Sequence, residues 1–297
     1  MAQGLCNAVS TFQRLMENVL RGLLQDFVHV YLDDILVTSE NFNQHIEHLR
    51  QIFIRIQSAN LRIKPEKCRF GTKRAEFLGH IITDKGIMMH EAKLEAIKQL
   101  PYPHTKKQLQ AALGLLSYYR KFYHNFSNYA HPLYQYLTKE YTTKNFELTA
   151  EDRKNYDALK KSLIANAILA FPDFQAATND PKRRLTIFTD ASKTGLGAVL
   201  TQPDENGVFR PIFFASRRLL SAETRYPITE LEALGVSFAA NKFGPFIIGI
   251  PTIVYTDHSA LIPMYKSLTA SESDRVDKWF LKHKSKFELI LIYLRGK

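Results

Sequence analysis

A chain of 297 residues with 45% hydrophobic content is long enough for two domains and too apolar for wholesale disorder. Forty Lys and Arg against 29 Asp and Glu leave a formal charge of +11, which suits a polyanionic partner, nucleic acid or an anionic membrane surface. Cys6 and Cys68 stand in no CxxC or Cys/His spacing, which excludes a disulfide framework and favours a reducing, intracellular setting, cytoplasmic or nuclear.

Residues 11–24 are predicted to be helical, because Phe12, Leu15, Met16, Val19 and Leu23 recur at helical spacing. Residues 27–37 are β-branched and apolar except for the adjacent Asp33 and Asp34, the pattern of two strands meeting at a tight turn. A second amphipathic helix is expected over 45–59, through Ile46, Leu49, Ile52, Phe53 and Ile56, with short strands at 61–63, 76–82 and 86–88. From 105 to 136 the chain reads as helical and aromatic. One apolar face runs through Leu109, Ala112, Leu113, Leu116 and Tyr123, another through Leu115, Tyr119, Phe122 and Phe126. Most of these aromatics are therefore core, and Arg120 and Lys121 are left as candidates for phosphate contact. A polar connection at 141–148, a helix at 150–167 and a turn at 171–174 lead to the breaker cluster Asn179-Asp180-Pro181-Lys182. A domain boundary is expected near 170–182. Beyond it come strands at 185–188, 195–202 and 208–215, a helix from Glu230 and a strand at 252–255, a mixed α/β sheet. The most apolar late stretch, 246–255, is short and broken by Pro251, so no membrane span is expected and the protein reads as soluble.

Two acidic clusters carry chemistry. Asp33 and Asp34 are like charges at contact distance inside an apolar hairpin, which a hard divalent cation such as magnesium would balance. Asp is also a good turn residue, and a solvated turn explains the spacing equally well. The second cluster is Asp190, Glu232 and Asp257. Asp190 and Asp257 each follow a predicted strand, and two strands of one sheet would bring them to the same edge. Three converging carboxylates can hold two metal ions that activate water against a phosphodiester. Thr229 and Glu232 also fit a capping box, and both aspartates fit strand-end turns.

The residues around these clusters resemble a known family. Tyr31-Leu32-Asp33-Asp34 matches the YxDD motif of reverse transcriptases. It is preceded by Gly4-Leu5-Cys6-Asn7-Ala8 and Thr11-Phe12-Gln13-Arg14-Leu15-Met16, and followed by Lys67-Cys68-Arg69-Phe70 and Phe77-Leu78-Gly79-His80. Leu113-Gly114-Leu115, Tyr118-Tyr119-Arg120-Lys121-Phe122 and Ala130-His131-Pro132-Leu133 continue the order. TDAS-x-x-GLGAVL-x-Q, a Glu at 232 and YTDH-x-x-L are similar to the ribonuclease H of the same elements. Over essentially its whole length the chain resembles the Pol polyprotein of gypsy-type long-terminal-repeat retrotransposons.

The resemblance implies an α/β (α+β) architecture: a partial palm over 1–100, a helical thumb and connecting segment over 101–170, and a ribonuclease H-like mixed sheet with flanking helices over 171–297. It implies catalytic, metal-binding roles for Asp33, Asp34, Asp190, Glu232 and Asp257, with magnesium as cofactor and manganese as a substitute. Tyr31 would lie against the primer end and Gln3 near the incoming nucleotide. Leu78, Gly79 and His80 would form the primer grip, though a strand histidine with a satisfied hydrogen bond is an equal account of His80. Implied partners are an RNA template, a DNA primer, an RNA–DNA hybrid and deoxynucleoside triphosphates, with no membrane. The parent polyprotein would also carry a protease and an integrase. Val9 and Gly235 depart from the family, which usually has proline and alanine there. A further polymerase Asp would precede Met1 and a fourth nuclease carboxylate would follow Lys297, so a form cut at both ends is expected, with a catalytically inactive nucleic-acid-binding remnant as the alternative.

Overall fold

The computed structural model describes residues 5–138, 146–165, 168–267 and 273–295. The chain divides into two compact units, residues 1–84 and 85–297.

In the first unit, α1 (Ala8–Val19) begins and ends earlier than its periodicity predicts. Gly22 and Gln25 take left-handed φ values of +84° and +68° and turn the chain, so Leu20 and Leu23 leave the helix yet stay buried. β1 (Val28–Tyr31) and β2 (Asp34–Val37) form the expected antiparallel hairpin, with Tyr31 opposite Asp34. α2 (Phe42–Ser58) starts where the Asn41 side chain accepts the Gln44 N–H, a cap that extends it beyond the apolar repeat. Its Ile52 and Ile56 pack with Met16, Leu20, Phe27 and Val28 in one core. The strand expected at 61–63 does not form; Leu61 packs on that core instead. The apolar run at 76–82 resolves into a hairpin, β3 (Arg74–Phe77) and β4 (His80–Thr83).

The second unit opens with β5 (Gly86–Met89), α3 (Glu91–Lys98) and α4 (Lys106–Tyr118). The single helix expected over 105–136 is two helices. A 3-10 turn at Arg120–Phe122 and Asn125 at φ +59° separate α4 from α5 (Phe126–Gln135). A straight helix would spread the aromatics over two faces. The break brings Tyr119, Phe122, Tyr123 and Phe126 into one buried cluster. α6 (Ala150–Ala165) and β6 (Ile168–Leu169) complete this part, with Tyr156 and Leu159 in the same core. Of the expected connection only 146–148 is described, and its Leu148 is buried. β5 pairs antiparallel with β6, and Gly86 is required there: at φ +139°, a Cβ would stand 2.1 Å from the Leu169 carbonyl oxygen.

α7 (Phe174–Asn179) then leads into β7 (Thr186–Ala191), β8 (Gly195–Pro203) and β9 (Phe209–Arg218). α8 (Ile228–Ile247), β10 (Thr252–Thr256), α9 (Leu261–Lys266), α10 (Asp274–Lys284) and β11 (Leu289–Tyr293) follow. The five strands lie in the order β11-β10-β7-β8-β9. β7, β8 and β9 are antiparallel neighbours, whereas β10 runs parallel to both β7 and β11. A parallel return needs a crossover, and α8 supplies it between β9 and β10. The mixed sheet is therefore as expected, while α7, α9, α10 and β11 were not foreseen. Ile187, Leu200, Val236, Phe243, Val254 and Phe280 form its core. Phe243 and Phe280 are fully buried, each contributing about 1.5–3 kcal/mol.

The helical core ends at Leu169 and the sheet core begins at Ala177. Both belong to one compact unit, and the helical core already holds Met89 and Ile97. No described helix is long and apolar enough to cross a membrane.

Candidate active sites

In the first unit, Leu32 and Asp33 form the two-residue turn of the β1–β2 hairpin, with Leu32 at φ +56°. Gln13 on α1 holds this turn. Its Oε1 accepts the Leu32 N–H at 2.6 Å, while its Nε2 donates to Glu17 Oε1 at 2.8 Å and to the Val30 carbonyl at 3.4 Å. Asp33 and Asp34 are exposed beside Tyr31, so their charges remain in water and cost little there. Gln13 was legible only as part of a motif; nothing in its spacing marks it as the clamp of the acidic turn.

The second hairpin turns at Leu78 and Gly79, both left-handed at φ +49° and +69°, the geometry of a tight two-residue connection. His80 Nδ1 donates to the Leu78 carbonyl at 2.7 Å, the local bond that the strand-histidine account requires. Gln3 lies outside the described residues.

In the second unit, Arg120 and Lys121 are engaged within the fold. Arg120 Nη2 donates to the Ser216 carbonyl at 3.0 Å. Lys121 Nζ lies 5.4 Å from the Phe122 ring centre, and burial pushes its ammonium pKa down.

The carboxylates of the second acidic cluster come from three places in the sheet and its crossover helix. In the parallel pair β7–β10, Phe188 stands opposite Tyr255, and two residues further along each chain are Asp190 and Asp257. Asp190 lies inside β7, opposite Gly197 of β8, rather than just beyond the strand. Glu232 sits in α8 and is only 5% exposed. Burial, then the charges of Asp257 and Asp190, push its carboxyl up to about 7. Its Oε2 has no hydrogen-bond partner among the described residues.

The capping-box account of Glu232 does not hold. α8 starts at Ile228, so Thr229 is already helical, and its Oγ1 pairs with His258 Nε2 at 3.0 Å instead. That bond ties the residue after Asp257 to the helix carrying Glu232. The adjacency of His258 to Asp257 is visible in the sequence, but its partner is not. At Gly235 a Cβ would meet Ala191 Cβ at 3.7 Å, an ordinary contact, so this departure from alanine has no steric consequence.

Among the described residues no three His, Cys, Asp or Glu side chains stand close enough to share a metal ion. The donor chemistry nevertheless fits a hard divalent cation: oxygen ligands only, one of them buried, unpartnered and repelled by two neighbouring carboxylates.

Residues 1–82 match the family model for reverse transcriptase (RNA-dependent DNA polymerase). Residues 180–284 match the RNase H-like domain found in reverse transcriptase. The Pol polyprotein of transposon 297 from Drosophila melanogaster is 35% identical over all of this chain, which spans 26% of that protein. That of transposon gypsy, from the same fly, is 34% identical over 87% of the chain and 25% of its own length. The chain thus spans about a quarter of the curated relatives it matches. The structure of a foamy viral protease-reverse transcriptase in complex with RNA/DNA hybrid shares the fold, with a TM-score of 0.79 at 22% identity. That likeness covers 100% of this chain and 39% of the viral one.

Proposed function

Because this chain belongs to the Pol polyproteins of gypsy-type retrotransposons, of which it carries reverse transcriptase and RNase H-like segments, we propose that it copies RNA into DNA and degrades the RNA strand of RNA–DNA hybrids. Its substrates on this reading are an RNA template, a DNA primer, the hybrid they generate and deoxynucleoside triphosphates, and the parent polyprotein adds a protease and an integrase. Asp33 and Asp34 are the metal-binding pair of the polymerase, presented at a turn that Gln13 clamps. Tyr31 binds the primer end, Gln3 the incoming nucleotide, and Leu78, Gly79 and His80 the primer backbone. Arg120 and Lys121 flank the duplex on the thumb side.

Asp190, Glu232 and Asp257 are the nuclease ligands. These carboxylates would hold magnesium, or manganese in its place, which would supply positive charge to the scissile phosphodiester and lower the pKa of water. The protein's own contribution is to bury Glu232 where the charges of Asp190 and Asp257 oppose its ionisation. The carrying observation is Glu232, buried and unpartnered with both aspartates raising its pKa. A carboxylate so placed destabilises the metal-free protein and is offset by a cation.

Cleavage of the RNA strand in a labelled hybrid, with magnesium, tests the nuclease reading. The chain should cleave, and Asp190→Asn should lower the rate by at least about a hundredfold, because an amide cannot supply the ligand charge. Equal cleavage by both proteins would make Asp190 a strand residue only. Hybrid binding without turnover by the parent chain would favour the nucleic-acid-binding remnant.

A further inference from the structure

Asp190, Gly197 and Ser216 stand directly opposite one another on β7, β8 and β9. Residues in such a cross-strand row share one face of the sheet, with strands about 4.8 Å apart, so Ser216 lies about 10 Å from Asp190. Gly197, between them, has no side chain to pack. Asp190 accepts no hydrogen bond at its carboxylate among the described residues, so its position depends on the backbone row.

The far end of that row is anchored from outside the sheet. Ser216 is 4% exposed. Its Oγ accepts the Ser127 N–H at 3.1 Å and the Ser127 hydroxyl at 3.0 Å, and its carbonyl accepts Arg120 Nη2 at 3.0 Å. The middle of the row is approached from the same side: a Cβ at Gly197 would lie 3.2 Å from Asn125 Oδ1. Asn125 is left-handed at φ +59° and its side chain caps no helical N–H. One glycine along β8, a Cβ at Gly195 would lie 3.3 Å from Asn128 Oδ1. The break between α4 and α5, which cost the predicted helix its continuity, therefore seats residues 120–128 on the row that carries Asp190.

We infer that Ser216 is a positioning residue for the nuclease centre, anchoring the Asp190 row to the α4–α5 junction through Ser127 and Arg120. The inference rests on the nuclease reading of Asp190, Glu232 and Asp257. Its consequence is that the metal affinity of those carboxylates depends on a hydroxyl two strands away that touches neither metal nor substrate.

The test is Mn2+ binding to the full chain, followed by electron paramagnetic resonance, in an Asp33→Asn, Asp34→Asn background so that the nuclease carboxylates report. Ser216→Ala should weaken Mn2+ binding about tenfold, the effect expected when a group supporting a ligand is removed. Ser127→Ala should weaken it in the same direction, and the double variant should be no worse than Ser216→Ala, because both changes break one link. Thr201→Val is the control for stability alone. Thr201 is 6% exposed and donates to the Thr186 carbonyl at 3.0 Å in the same sheet, away from the row. It should lower the unfolding midpoint yet keep the parent's Mn2+ affinity. Parental affinity in Ser216→Ala, or an equal loss in Thr201→Val, overturns the inference and leaves the nuclease reading standing. A parent that binds no Mn2+, or an Asp190→Asn variant that binds as tightly as the parent, overturns the nuclease reading and this inference with it.

Discussion

His283 is fully buried on α10, with Nε2 at 2.8 Å from the Ser237 hydroxyl of α8 and Nδ1 unpartnered among the described residues. Burial, then the nearby charges of Lys282 and Lys286, push its pKa down to about 4. The unfolded chain takes up a proton near the usual histidine value of about 6.5, while the folded chain resists until about pH 4. The stabilisation is therefore fully present above 6.5 and is lost as pH falls through that window, by roughly 2–3 kcal/mol at pH 4.5. Urea unfolding at pH 7 and pH 4.5 should show this fall in the parent and a smaller one in His283→Gln. Identical slopes would mean that other groups carry the acid sensitivity. Glu232 has the opposite sign. With its carboxyl raised to about 7, metal-free protein loses stability as pH rises from about 4.5, because burial and two nearby carboxylates oppose its ionisation.

At the scale of elements, local patterns located most helices and strands but placed their ends by periodicity alone. Caps and turns moved those ends: Asn41 lengthened α2, Gly22 shortened α1, and Asn125 split the aromatic helix. The β5–β6 pair depends on one such residue. Replacing Gly86 by alanine would drive a Cβ into the Leu169 carbonyl and hold a side chain at φ +139°. Strain and overpacking together should cost about 3–5 kcal/mol. Gly114, in α4 with nothing within 4 Å of its missing Cβ, is the matched contrast. Gly114→Ala should stabilise by about 0.5–1 kcal/mol, since alanine loses less backbone entropy in a helix. Chemical denaturation of the two variants decides the matter, and similar free-energy changes would show that the β5–β6 approach is looser than described.

For the whole molecule, the +11 charge is unevenly placed, with 17 basic and 11 acidic residues in 181–297 alone. The segment that carries Asp190, Glu232 and Asp257 thus holds six of the eleven excess positive charges, 17 less 11. Neutralising backbone phosphates releases counterions, so hybrid affinity should fall at least about tenfold between 50 and 200 mM salt. Anisotropy of a labelled RNA–DNA hybrid, measured with EDTA to remove metal-dependent terms, gives the slope. A flat response would reduce the basic excess to a solvated surface.

The sequence by itself determined the order of motifs, the acidic turn of the first hairpin, the mixed character of the sheet and the family to which the chain belongs. These depend on spacing within single elements, and neighbouring residues encode them directly. Only the tertiary structure decided that Glu232 is buried rather than capping, that Gln13 clamps the acidic turn, and that Arg120 donates to a carbonyl of β9. Each of these joins residues distant along the chain, and no local pattern carries such a pairing. The same reason hid Ser216: an ordinary serine in a strand becomes an anchor only when β7, β8 and β9 pair in register and the α4–α5 break lays Ser127 upon it.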